Sequence, residues 1–186
     1  FNEARDDMAQ RLADIPESDR PVAYEILADK DRGPFRTYYG ENQAWLSYAG
    51  GILATKDYAD ATSQAMPTEE AILATNPDII FVGGTYATKE YASLLENEMW
   101  KNITAVENSN IFIEPTGATA WNSCSTSYPL LVYFCFSCMY PEQVDFDLKA
   151  MAHEFYLEYY EIDFTEKQLD LMFSSMAPDG TEMWAE

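Results

Sequence analysis

The stretch from Thr68 to Gly84, TEEAILATNPDIIFVGG, constrains the fold more than any other part of the chain. Thr68 is a helix N-cap residue, and Glu69 and Glu70 fall where the helix dipole favours acids. Asn76-Pro77-Asp78 stops that helix, because the residue before a proline is pushed out of the α region. Ile79 to Val82 is an unbroken apolar run, the pattern of a strand covered on both faces. Gly83-Gly84 then lets the backbone turn at the strand's carboxyl end, which is where open α/β sheets bind ligands.

The remaining segments repeat this strand-and-helix alternation. Asp6 to Ala13 is helical, with Met8 and Leu12 four apart, and Ile15-Pro16 ends it. Pro21 to Leu27 is a first strand, in which Val22, Tyr24 and Ile26 alternate with Ala23, Glu25 and Leu27. Asp29 to Gly40 is a loop, Asn42 to Ala49 a short helix stopped by Gly50-Gly51, and Ile52 to Ala65 an irregular passage. Thr88 to Asn97 forms a helix with Tyr91, Leu94 and Leu95 on one side, and Ile111 to Ile113 forms a third strand. Pro129 to Tyr140 is apolar all round, hence a buried helix too short to span a bilayer. Asp147 to Tyr160 places Leu148, Met151, Ala152, Phe155 and Tyr159 on one face. Thr165 to Gln168 is a capping box that opens a last helix with Leu169, Met172, Phe173 and Met176 as its stripe. The predicted fold is α/β: a three-layer, Rossmann-like lobe whose mainly parallel sheet is flanked by helices.

A length of 186 residues fits one domain, and 47% hydrophobic with 15% aromatic content supplies a core. The formal charge of −21 excludes the basic footprint that nucleic acids require and disfavours an anionic membrane surface. It suits a solvated acidic surface, or an acidic docking face for a basic partner. Phe1-Asn-Glu-Ala-Arg-Asp-Asp is polar and helix-prone, unlike a secretion leader. Cys135 and Cys138 share a helical face; with Cys124 and His153 they allow a metal set, a disulfide, or simply small buried thiols. His153 reads as a structural histidine beside a buried face.

Three loops, each following a strand, converge at one sheet edge. The first carries Arg32, Arg36, Tyr38, Tyr39 and Asn42; the second Gly84, Thr85 and Tyr86; the third Thr116, Gly117, Thr119, Trp121 and Asn122. Aromatic faces, hydroxyls, an amide and two guanidiniums suit a bulky aromatic or chelated ligand, with Arg36 as its anion contact. Loop packing for Tyr38 and Tyr39, a tight turn for Gly83-Gly84 and core packing for Trp121 are the alternatives. No Gly-x-Ser-x-Gly elbow, phosphate loop or dinucleotide fingerprint is present, and no acid pair stands out at a strand end, so an enzyme is disfavoured.

Thr68 to Gly84 also resembles a signature of the substrate-binding proteins of ABC importers for iron–siderophore, haem and cobalamin, the class III periplasmic binding proteins with a helical backbone. Trp100 to Pro115, Trp121, the Pro129–Tyr140 helix, Tyr140-Pro-Glu142, Glu154-Phe-Tyr156 and Leu169 are similar to later segments of that family in the same order. The resemblance implies that residues 1–14 end an inter-lobe connecting helix, 15–177 form a C-terminal ligand-binding lobe, and 178–186 fray, with the N-terminal lobe absent. The ligand contacts expected from the three loops are Arg36, Tyr38, Tyr39, Asn42, Gly84, Thr85, Tyr86, Thr119 and Trp121, of which Trp121 matches a family position that lines the cleft. The resemblance also implies a ferric siderophore, haem or cobalamin as cargo, no cofactor or catalysis, an ABC permease as partner, and an extracytoplasmic location, periplasmic or lipid-anchored. Cys124-Ser-Thr-Ser and Phe134-Cys135 depart from the family's usual residues. The competing reading is a free-standing lobe acting as a sensor or interaction module, with Tyr38, Tyr39, Tyr86 and Trp121 as the association patch of a homodimer.

Overall fold

A computed structural model describes residues 1–28, 35, 43–58, 68–84, 86–122 and 126–174. Four parallel strands form one sheet in the order β2-β1-β3-β4: β1 Val22–Leu27, β2 Ile52–Leu53, β3 Ile79–Gly83 and β4 Ile111–Ile113. Ala23 pairs with Ile79 and Leu27 with Gly83, so β1 and β3 run in full register at the sheet's centre. Every residue of β3 is buried, as its apolar run requires.

The period-2 alternation of the strands divides the core in two. On one face Ala23, Ile79 and Phe81 pack with α1 (Asn2–Arg11), α2 (Ala44–Tyr48), α6 (Tyr128–Met139), α7 (Leu148–Tyr160) and α8 (Glu166–Phe173). On the other, Tyr24, Ile26, Ile80 and Val82 pack with α3 (Glu69–Thr75), α4 (Ala87–Glu96) and α5 (Thr104–Glu107). The expected three layers are therefore present. Trp100 seals the second face: its ring stacks near Tyr24, and its Nε1 donates to Glu69 at 2.6 Å.

The terminal signals act as the sequence reading requires. Thr68 Oγ1 accepts from Ala71 N, and Asn76 closes α3 in the left-handed region. Thr165 and Gln168 form the full capping box of α8. Leu130, Leu131, Val132, Phe134, Cys135 and Phe136 are buried in α6, and no described helix is long and apolar enough to cross a membrane.

Four expectations need correction. The passage after Gly51 contains a strand: Ile52 N donates to Pro21 O and Ala54 N to Ala23 O, which adds β2 as a short edge. Leu95 faces solvent while Leu94 is buried, because the buried stripe of α4 is narrower than its apolar content. Tyr159 is 65% exposed; α7 packs through Ala152 and Tyr156, one turn apart, and Tyr159 lies off that line. Finally, a pair of acids does stand together at the strand ends: Glu25 of β1 and Glu114, directly after β4, are both buried, because helices cover the sheet on both sides.

Candidate functional site

The carboxyl ends of β1, β3 and β4 lie side by side, and the loops that leave them are joined at their roots. Ala28 N donates to Gly83 O at 2.8 Å, and Tyr86 N donates back to Ala28 O at 3.3 Å. Gly84 has φ +91°, and a Cβ there would stand 2.7 Å from the Ala28 carbonyl, so the second loop can leave β3 only through a glycine. The first loop is pinned at its middle: Tyr24 Oη donates to Phe35 O at 2.9 Å, and the Phe35 ring lies 5.3 Å from Trp100. The third is a small antiparallel turn, Thr116 opposite Ala120, held by Gly117 N to Thr119 O and by Thr116 N to Met172 O of α8.

Of the nine residues expected to contact ligand, Arg36, Tyr38, Tyr39, Asn42 and Thr85 lie outside the described residues, as does Arg32. Gly84 and Tyr86 stand together at the end of β3, with Tyr86 half-buried at the start of α4. Thr119 is exposed at the tip of the third loop. Trp121 is 0% exposed; its Nε1 donates to Tyr156 Oη at 2.9 Å, and its ring meets Phe173 edge-on, so it packs in the core. Tyr156 Oη also meets Ser127 Oγ at 3.0 Å, so one phenol on α7 anchors both flanks of the third loop. A side chain at Gly117 would collide with that same hydroxyl.

Beneath these loops lies the acid pair, which sequence reasoning missed. Glu25 and Glu114 are 1% and 3% exposed and occupy the same face of the sheet, on either side of Gly83. Glu25 accepts from Gln43 Nε2 at 3.2 Å and from Asn122 Nδ2 at 3.1 Å, and Gln43 accepts from Thr55 Oγ1 at 3.0 Å. The Trp45 indole and the Asn122 amide face the Glu114 carboxyl. Burial, and then the neighbouring Glu25 charge, push Glu114 well above the ordinary carboxyl range. The cluster thus joins β1, the entry to α2, the second residue after β2 and the third loop. Room for it exists only because position 83 is glycine: a Cβ there would run into Glu114 and Asn122. An acid inside an apolar strand and a second directly after β4 mark each member locally, but only the register of β1, β3 and β4 brings the two together.

Two thiols lie near this cluster. Cys135 is fully buried and its thiol is pushed well up by burial and then by Glu114; burial takes Cys138 up to about 12. Both are free, and Cys124 lies outside the described residues. His153 Nε2 meets Asp163 Oδ1 at 2.8 Å and ties α7 to the segment that precedes α8.

The family described as periplasmic binding protein matches residues 1–116, from α1 through all four strands to the start of the third loop. The chain belongs to that family. Its members here are ABC-transporter substrate-binding proteins of the class III type. The molybdate-binding protein MolA of Haemophilus influenzae is 26% identical over 163 residues, which cover 84% of this chain and 44% of that protein. An ABC-transporter solute-binding protein from Sulfurospirillum deleyianum superposes with a TM-score of 0.76 at 20% identity, over 92% of this chain and 53% of that one. CeuE of Helicobacter pylori, solved with Ni(II) bound, gives 0.65 at 16% identity, over 92% and 53%. These likenesses extend the periplasmic-binding-protein fold through α6–α8. The chain spans about half the length of these relatives.

Proposed function

We propose that this chain is the C-terminal, ligand-receiving lobe of an extracytoplasmic substrate-binding protein that serves an ABC importer, and that its cargo is a small metal-bearing ligand. The observation that carries this reading is the junction of three loop roots at the carboxyl edge of a parallel sheet, which is the ligand edge of such sheets. A relative that binds molybdate and a fold neighbour holding Ni(II) support a metal-bearing cargo. Loop composition favours a chelate, a ferric siderophore, haem or cobalamin, over a bare ion. Arg36 would pair with anionic oxygens, Tyr38, Tyr39 and Tyr86 would stack on flat ligand surfaces, and Asn42, Thr85 and Thr119 would hydrogen-bond its rim. Function is binding without chemistry: a second lobe closes over the ligand, and the pair presents it to the permease.

Titration of the chain with a ferric catecholate siderophore, haem, cobalamin, molybdate and Ni(II)-histidine, followed by calorimetry, tests this. Saturable binding of one ligand that weakens at least about tenfold in Arg36→Ala or Tyr86→Ala is expected, equivalent to the loss of one good contact. Saturable binding that ignores both substitutions would remove the loops from the site. No heat with any ligand, together with concentration-dependent dimerisation, would favour the interaction module.

A further inference from the structure

Gln43, which follows the first loop, and Asn122, which ends the third, are 79 residues apart (122 − 43). Both reach one side chain. Gln43 Nε2 donates to Glu25 Oε2 at 3.2 Å and Asn122 Nδ2 donates to Glu25 Oε1 at 3.1 Å, so each carboxyl oxygen accepts from one amide. Thr55 Oγ1 donates to Gln43 Oε1 at 3.0 Å, which turns the N–H end of that amide toward Glu25. The Asn122 amide also faces the Glu114 carboxyl. All five side chains are at least nine-tenths buried.

The chain of donors has a direction. Thr55 gives to Gln43, Gln43 gives to Glu25, and Asn122 gives to Glu25 from the other side. An ionised carboxyl accepts at both oxygens. A glutamine at 25 would offer one acceptor and one donor, and its donor would face a second donor. A leucine would take that acceptor away from two buried amides, which is costly where water is excluded. The hub itself sits on a rigid support: β1 is paired on both sides, by β2 and β3, and Glu25 stands in register with Phe81.

We propose that Glu25 is a positioning residue that fixes the exit of the first loop and the end of the third against the central strand, so that the two loops respond as one unit. That these loops hold ligand rests on the function proposed above; the coupling between them needs no ligand. Hydrogen bonds in a buried chain strengthen one another, so a cut at one end loosens the other. Amides that merely filled separate gaps would not behave so.

The test is amide hydrogen exchange, followed by NMR on the whole chain without ligand. Asn122→Ala cuts the third-loop end and is read at Gln43 Nε2. Gln43→Ala cuts the other end and is read at the Gly117 and Trp121 amides, which bond to Thr119 O and Pro115 O. Each change should quicken exchange at the far reporter at least about tenfold, while the Ile80 and Val82 amides of β3 stay within about twofold of the parent. The swapped pair Glu25→Gln/Gln43→Glu separates hydrogen bonding from the place of the charge. It keeps the net charge and every link: Thr55 still gives to position 43, the amide at 25 now gives to it, and Asn122 still finds an oxygen at 25. Third-loop protection should fall in Glu25→Gln and return to within about twofold of the parent in the swapped pair. Should Glu25→Gln fail to fold, recovery of the fold by the swapped pair is the same result. Far reporters that keep their parental rates overturn the coupling, and so does a swapped pair no better than Glu25→Gln.

Binding is read separately, by calorimetry with the probes named above. A probe that binds the parent should bind Glu25→Gln at least about tenfold more weakly, and the swapped pair within about threefold of the parent. Equal binding by all three overturns the positioning role. A parent that binds none of the probes tells against the transport reading instead, and exchange rates alone then decide the coupling.

Discussion

Gly83 and Glu114 show how one residue's chemistry dictates another's. Two carboxyls beneath the loops need space above the sheet, and only a residue without a Cβ leaves it. Gly83→Ala should therefore destabilise the chain by about 1–3 kcal/mol, the usual cost of overpacking. Adding Glu114→Ala should recover part of that loss in urea denaturation. A double variant no better than Gly83→Ala would mean that the added methyl offends the backbone rather than the acid. The acid also carries a pH signature. Its folded-state pKa is raised by burial and then by Glu25, so its contribution is fully present below the unfolded value of about 4.5 and declines as pH rises toward the folded value. The parent should therefore lose stability through that window relative to Glu114→Gln, which keeps the shape and cannot ionise. Melting temperatures of the two across the window check this, and parallel curves would show that Glu114 does not titrate anomalously.

At the scale of elements, α8 is a clamp. Its capping box fixes where the helix starts, and Met172 O near its end accepts from Thr116 N of the third loop. Thr165→Ala removes the cap and should cost about 1 kcal/mol. Because α8 carries the partner of Thr116, hydrogen exchange should quicken at that amide while the amides of β3 keep their protection. Uniform quickening would show that α8 and the sheet open together. Elements whose signals are local were legible in the sequence: the Thr68 and Thr165 caps, the Asn76-Pro77 stop, and the apolar runs of β3 and α6. β2 was not, because two residues paired by Pro21 and Ala23 leave no periodicity to detect. Of the site, the three loops could be placed from the strands that precede them. Glu25 with Glu114 could not, since 89 residues separate the two (114 − 25) and only the register of β1, β3 and β4 makes them neighbours. Trp121 is a similar case. Its position puts a large ring near a strand end; that its indole is satisfied by Tyr156 of α7 is a tertiary fact.

For the whole molecule the governing quantity is charge. A formal −21 over 186 residues repels itself in the folded state, and several acids sit where helices want cations. The last turns of α4, α5 and α7 carry no basic residue, while Glu96, Glu107 and Glu158 stand in them. Such an arrangement is tolerable only because water and salt screen it, with a Debye length of about 10 Å at 0.1 M. The melting temperature should therefore climb by several degrees as NaCl is raised from about 10 mM to about 500 mM, over which range screening shortens from about 30 Å to below 8 Å. Salt also strengthens apolar burial, so the rise alone does not identify repulsion. A Glu96→Gln/Glu107→Gln/Glu142→Gln variant separates the two effects, because it changes exposed charge and leaves the core intact. It should melt higher than the parent at low salt and respond less to added salt. Two curves offset by a constant would instead mean that these acids act through local helix ends alone. That outcome would move the origin of the salt response from charge to the two apolar clusters that hold the sheet.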